Sequence, residues 1–301
     1  MSLLVVGSVA IDEVETPNGK ASSALGGSAA YFAYAASYFC PVRLVSVVGE
    51  DFPHEYYQFL DQRENIDATG LRQVMGRTFR WKGRYSQDMN SRETLEVQLN
   101  VFGDFDPDLP DSYRDSRFVF LANGSPVVQR KVLHQVKAPE LVVADTMDLW
   151  IETARDPLLE LLRQIDGIVL NDQEALMLTD EDMVVNAGLK VLECGPKFAI
   201  IKKGEHGAMF FSDAGVFAMP AYPTPNLVDP TGAGDSFAGG LMGYLAREGR
   251  FDAVTLKRAM AYATVTASLN VEDYSLERFK RTSKEEIEER YETYRQMLRV
   301  D

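Results

Sequence analysis

Short apolar runs recur along the chain at Leu3 to Val6, Arg43 to Val48, Phe118 to Leu121, Leu141 to Ala144, Gly167 to Leu170 and Phe198 to Ile201, each ending near a polar or glycine turn. Runs that are apolar on both faces fit strands covered on both sides, as in a parallel sheet. Helical spacing fills several of the intervals, for instance Ala29 to Phe39 and Glu152 to Gln164. The alternation predicts a doubly wound α/β sheet, whose ligands bind at the carboxyl ends of the strands. Toward the C-terminus, Ser283 and Glu286 stand at capping-box spacing ahead of Ile287, Tyr291, Tyr294 and Leu298, which predicts an amphipathic closing helix. One segment breaks the alternation. From Arg77 to Phe102 the residues follow a period of two on either side of the polar turn Ser86 to Ser91, which predicts two antiparallel strands.

The densest chemistry lies in Asp229-Pro230-Thr231-Gly232-Ala233-Gly234-Asp235-Ser236. Gly232 and Gly234 admit positive φ and, lacking Cβ, let the amides of residues 232 to 235 approach an anion. The helix they open carries Phe237, Leu241, Met242 and Leu245 on one face and directs the positive end of its dipole at the same point. Phosphate fits such a place. Asp235 does not fit it as a phosphate ligand, because a carboxylate repels the anion that the amides attract. It fits as a general base that takes a proton from an alcohol while the amides stabilise a transferring phosphoryl group. The bland alternative is a tight turn followed by an Asp in a first helical turn, where Asp is favoured anyway. The loop is not a Walker loop, since no Lys follows the glycines. Nor does Gly7-Ser8-Val9 after the first strand match the Gly-x-Gly-x-x-Gly of a dinucleotide-binding turn.

Composition narrows the partners. The 301 residues, 46% of them hydrophobic, suffice for a large core. Lys and Arg number 31 against 45 Asp and Glu, a formal net charge of -14, which argues against nucleic acid or an anionic membrane as partner. No apolar run approaches membrane-spanning length, and the opening Met-Ser-Leu-Leu-Val-Val-Gly lacks a basic n-region, so a cytoplasmic protein is expected. Cys40 and Cys194 have neither pairing nor metal spacing, and His54, His134 and His206 form no cluster.

The string from Asp229 to Asp235 resembles the second signature of the ribokinase family, also called the PfkB carbohydrate kinases, and Gly26-Gly27 ahead of a helix resembles the first. The resemblance extends along most of the chain. It implies one domain over residues 1–301 with a ribokinase-like three-layer α/β/α fold and a mostly parallel sheet. A small β-sheet lid would be inserted at about 77–103, with 12–25 contributing. The implied activity is a kinase using ATP and Mg2+ on the hydroxymethyl group of a sugar, or of a nucleoside on the same scaffold, with a homodimer joined through the lid. Asp235 would be the base, and the amides of Gly232, Ala233 and Gly234 the anion hole. Asp12, Gly26 and Gly27 would meet the acceptor, a carboxylate being suited to accept from two vicinal hydroxyls. Asn171-Asp172-Gln173-Glu174 resembles the family's Asn-x-x-Glu motif, whose Glu organises hydrated magnesium near the phosphates, so that Asn171 and Glu174 would serve magnesium and phosphate. Read by itself, the tetrapeptide is a helix N-cap with acidic first-turn residues. Lys202 to Gly207 resembles a strand-turn segment flanking ATP, which places Lys202 and Gly204 with Thr231 beside the nucleotide, Lys202 either reaching phosphate or staying solvated. Asp229 matches a position that in some relatives helps hold a monovalent cation such as K+, although Pro230 stands beside it here.

Departures from the pattern concern the acceptor. The family's sugar kinases have Asn five residues after the first glycine of the pair, where this chain has Tyr31, and Ala10 replaces an Asn common in ribokinases. Tyr31, Phe79, Trp81 and Tyr85 offer aromatic faces to a base or a sugar, or else pack lid and core. Arg80, Lys82, Arg84 and Arg92 offer cations to an acceptor phosphate, or are solvated. From another class, a non-catalytic nucleotide-binding regulator would keep the glycines without the base, and the presence of Asp235 counts against it.

Overall fold

The computed structural model describes residues 2–299. Its strands are β1 (Leu3–Val6), β2 (Ala10–Thr16), β3 (Gly19–Gly26), β4 (Val42–Gly49), β5 (Ile66–Val74), β6 (Phe79–Tyr85), β7 (Arg92–Gln98), β8 (Phe118–Leu121), β9 (Leu141–Asp145), β10 (Gly167–Asn171), β11 (Phe198–Lys202), β12 (Ala208–Ser212) and β13 (Gly215–Met219). They form two sheets. The larger runs β13-β12-β11-β10-β9-β8-β1-β4-β5 and is parallel from β11 to β5, with the antiparallel β12 and β13 on one edge.

Alternation of side chains along each strand explains the unbroken apolar runs. Leu3, Val5, Phe118, Phe120, Leu141 and Val143 enter one core, while Leu4, Val6, Val119, Leu121, Val142 and Ala144 enter a second on the opposite face. Helices Ser28–Ala36, Ala233–Glu248, Ala253–Asn270 and Lys284–Met297 bring their buried residues to the first core. Pro126–Leu133, Arg155–Leu162, Asp172–Thr179 and Val184–Glu193 bring theirs to the second. The result is a central sheet between two helical layers. Two of these helices touch closely, since a Cβ on Gly239 would stand 2.5 Å from the Phe32 carbonyl oxygen.

The four-stranded sheet runs β3-β2-β6-β7, with β2 and β6 parallel and the outer pairs antiparallel. The predicted hairpin over 77–102 is thus joined to the 12–25 segment rather than to an edge of the main sheet. Two predicted elements differ in detail. The stretch Glu152 to Gln164 is not one helix: a short helix Asp148–Thr153 ends at Ala154 (φ -139, ψ 37) and a second runs Arg155–Leu162. Pro157 explains the break, because it lacks the N–H that a continuous helix would bond to Thr153 and is tolerated in a first turn. At Ser283 only half of the capping box forms. Its hydroxyl accepts from the Glu286 amide at 3.2 Å, while the Glu286 carboxylate is held by Arg278. Among the described residues no helix is long and apolar enough to cross a membrane.

Candidate active site

Three helix starts and three neighbouring strand ends converge. Gly232 caps the helix Ala233–Glu248 in the left-handed region (φ 76, ψ 0), and a Cβ there would also collide with the Tyr31 ring. Asp235 falls in the first turn of that helix. The amides of Gly232 and Gly234 have no hydrogen-bond partner among the described residues. The Ala233 amide, expected to point at an anion, instead donates to the Pro230 carbonyl at 3.1 Å, because the loop closes a turn there. Asn270, which the sequence reading missed, holds the loop in place: its Nδ2 donates to the Thr231 carbonyl at 2.7 Å and its Oδ1 accepts from Ser236 Oγ at 3.0 Å. Asp229 is fully buried; its Oδ1 accepts from the Thr231 amide at 2.9 Å and its Oδ2 has no partner.

Asp145, Asn171 and Lys202 end the adjacent strands β9, β10 and β11, at their carboxyl ends. Lys202 Nζ lies over Gly234, 2.6 Å from where a Cβ would be. Asn171 and Glu174 form a complete capping box, Asn171 Oδ1 accepting from the Glu174 amide and Glu174 Oε2 from the Asn171 amide, both at 2.7 Å. The N-cap reading of this motif is therefore realised, and Glu174 Oε1 is left over. Beside it stands Asp145, which the sequence reading also missed. It is buried, its Oδ1 has no partner, and burial pushes its pKa well up, with Asp235 adding to the effect and Lys202 opposing it. Its signal was only that a carboxylate closes an apolar run at a strand's carboxyl end.

On the opposite side, Gly27 (φ 97) starts the helix Ser28–Ala36, and the Asp12 carboxyl lies directly over Gly26. Asp12 is 4% exposed; burial, then the charges of Asp229 and Asp235, push its pKa to about 8. Asp235 itself is pushed to about 6 by burial, with Lys202 and then Arg92 opposing. Asp229 likewise rises to about 6 through burial.

The aromatic residues are less available than expected. Tyr31 is 2% exposed, and Phe79 stacks on Phe102 with ring centroids 5.6 Å apart. Tyr31 is thereby closed on both faces and Phe79 on one. Trp81 is half-buried beside Gly83, and Tyr85 accepts a hydrogen bond from Thr231 Oγ1 at 3.3 Å. Three of the four candidate phosphate cations are paired elsewhere: Arg80 with Asp51 at 2.8 Å, Lys82 with Glu13 at 2.8 Å and Arg84 with Glu15 at 3.3 Å. Arg92 forms no ion pair among the described residues. Its guanidinium lies 5.5 Å from the Trp81 ring centroid, and its charge acts on Asp12, Asp235 and Glu174. The tip of the small sheet also reaches the turn that holds Gly204, where Asn90 Nδ2 donates to Glu205 Oε1 at 2.9 Å.

The oxygen donors suit a hard divalent cation. Asp145 has an unpartnered buried oxygen and Glu174 a second oxygen outside its cap, both next to Lys202 and the helix start. Among the described residues no three His, Cys, Asp or Glu side chains group closely enough to hold a metal. One or two carboxylates with phosphate oxygens and water are the usual magnesium arrangement.

A family model described as pfkB family carbohydrate kinase matches residues 2–281. A cytidine kinase of Thermococcus kodakarensis is 31% identical over 252 residues, covering 81% of this chain and 88% of that protein. Among solved structures, a nucleoside kinase of Burkholderia thailandensis in complex with ADP-inosine is similar with TM-score 0.82 at 19% identity, covering 97% of this chain and 95% of that one. A ribokinase II candidate from E. coli in complex with ATP and Mg2+ is similar with TM-score 0.79 at 22% identity, covering 98% and 99%.

Proposed function

The chain belongs to the pfkB family of carbohydrate kinases, phosphotransferases with an alcohol acceptor, and on that premise we propose that it transfers the γ-phosphoryl group of ATP to the hydroxymethyl group of a nucleoside. The cytidine kinase relative, 31% identical across 81% of the chain, carries this choice of acceptor.

Asp235, ionised above about pH 6, takes the proton of the attacking hydroxyl. The unpartnered amides of Gly232 and Gly234, the helix dipole behind them and the Lys202 ammonium stabilise the charge on the transferring group. Arg92, brought over by the small sheet acting as a lid, adds a second cation to the same region. Asp12 accepts hydrogen bonds from acceptor hydroxyls, and Gly26 leaves room for its carboxyl. Bound magnesium neutralises phosphate oxygens, and Glu174 and Asp145 are the side chains that would hold its waters. The unpartnered Asp229 Oδ2 is the oxygen that a monovalent cation such as K+ would take. Strand β7, exposed at the edge of the small sheet, is where a homodimer through the lid would pair.

A free sugar is the second reading. It is favoured by the packing of Tyr31 and of one face of Phe79, which leaves fewer flat surfaces for a base. ADP release with ATP and Mg2+ is measured over cytidine, other nucleosides, pentoses, hexoses, inositol and sugar phosphates. The proposal expects release with a nucleoside to exceed that with ribose by about tenfold, the order of one base stacked on an aromatic. Release with sugars alone establishes the second reading. No release above the hydrolysis background with any acceptor overturns the kinase reading in favour of a nucleotide-binding regulator.

A further inference from the structure

Tyr31 stands where the family resemblance places Asn, and its surroundings rule out a stacking role. The ring packs against Gly232 and is 2% exposed, so neither face is open to a ligand. The hydroxyl is also buried, and it has no hydrogen-bond partner. Tyr31 lies in the first turn of the helix that Gly27 opens and its ring packs on Gly232, so the side chain lies between the helix starts at Gly27 and Gly232. Asp12, Asp229, Asp235 and Tyr85 all lie close enough to disfavour its ionisation, after burial, with Asp12 the strongest of them. The phenol therefore keeps its proton.

A buried hydroxyl without a partner is costly, and a partner that arrives with the ligand removes the cost. Ionised Asp229 and Asp235 accept hydrogen bonds and cannot donate them, and Asp12, with its pKa pushed to about 8, has at most one proton to give, whereas a phenol always donates. A hydroxyl-bearing acceptor needs both kinds of partner: something to take its protons and something to give one to its lone pairs. We propose that Tyr31 determines acceptor specificity by donating its Oη–H to an oxygen of the hydroxyl pair whose protons Asp12 accepts. An analogue that lacks one of those hydroxyls leaves the Tyr31 donor and the Asp12 acceptor both unpaired, and such sites discriminate strongly. The inference rests on the acceptor side of the proposed function and adds the residue that reads the diol.

The test compares kcat/KM for cytidine, 2′-deoxycytidine and 3′-deoxycytidine in the parent and in Tyr31→Phe, together with the Tm of both proteins without ligand. If the parent uses sugars instead, D-ribose and 2-deoxy-D-ribose are the probes. The expected result is a parent that prefers the full diol over at least one deoxy analogue, and a variant in which that preference falls about tenfold through KM. The Tm of the empty variant is expected to equal or exceed that of the parent, since the deleted hydroxyl has no partner. A lower Tm with equal loss on every acceptor would make Tyr31 a packing residue and overturn the inference. So would an unchanged preference in an active variant, which leaves the proposed function standing. A parent that phosphorylates none of these acceptors overturns the proposed function and this inference with it.

Discussion

Asp12 places a carboxyl where Asp229 and Asp235 already lie close by, and its burial is what the proposed acceptor site costs the fold. Burial first, then those two charges, hold its pKa at about 8 against an ordinary 3.8. A carboxyl whose folded pKa lies above its unfolded value binds its proton more tightly in the folded state. Its contribution to stability is therefore complete below the unfolded pKa and is lost as pH rises through about 8. Asp12→Asn removes that loss. Calorimetry should find the variant's Tm higher than the parent's by about 2 °C or more near pH 9, with the gap closing toward pH 4. A variant less stable than its parent at every pH would mean that the hydrogen bond from Gly27 to Asp12 outweighs the burial of its charge.

Among the elements, the helix Asp172–Thr179 carries two tasks in its first turn. Glu174 completes the capping box through Oε2, and its other oxygen faces the region of Lys202 and Asp145. Gln in its place can still accept from the Asn171 amide, so Glu174→Gln separates cap from charge. The Tm should stay within the range of a retained cap, whose loss costs about 1 kcal/mol. The magnesium concentration for half-maximal rate should rise, with part of the rate recovered at high magnesium. Equal loss at all magnesium concentrations, or a sharp fall in Tm, would leave the motif a cap alone. The same scale shows how legible the fold was. The central strands could be read because burial on both faces makes each a continuous apolar run, as at Leu3–Val6. The helix break at Ala154 was also written in the chain, in Pro157, but the apolar spacing on either side masked it. Strand β13, with only half-buried and exposed residues, carries no comparable signal.

At the scale of the whole molecule, the site exists only because distant segments meet. The signature loop near Gly232 and the strand ends at Asp145, Asn171 and Lys202 come from the main sheet and its helices, whereas Asp12, Trp81 and Arg92 come from the small sheet. Residues within the glycine-rich loop could be recognised because their spacing is itself the chemistry. Asp145 and Asn270 could not, because their roles depend on partners far away in the chain: Lys202 for one, Thr231 and Ser236 for the other. The same long-range packing closed the ring of Tyr31 and covered one face of Phe79, both of which had looked open to a base. It also leaves Asp235 within reach of the charges of Lys202 and Arg92, in the first turn of a helix. The account's central claim is that this carboxylate is the base for phosphoryl transfer to an alcohol. The most direct test is the turnover of Asp235→Asn with ATP, Mg2+ and the best acceptor, alongside its ATP affinity and its Tm. The account predicts that kcat falls by about 10² to 10⁴ while ATP still binds and the fold holds. A folded variant that turns over within about tenfold of its parent would contradict it.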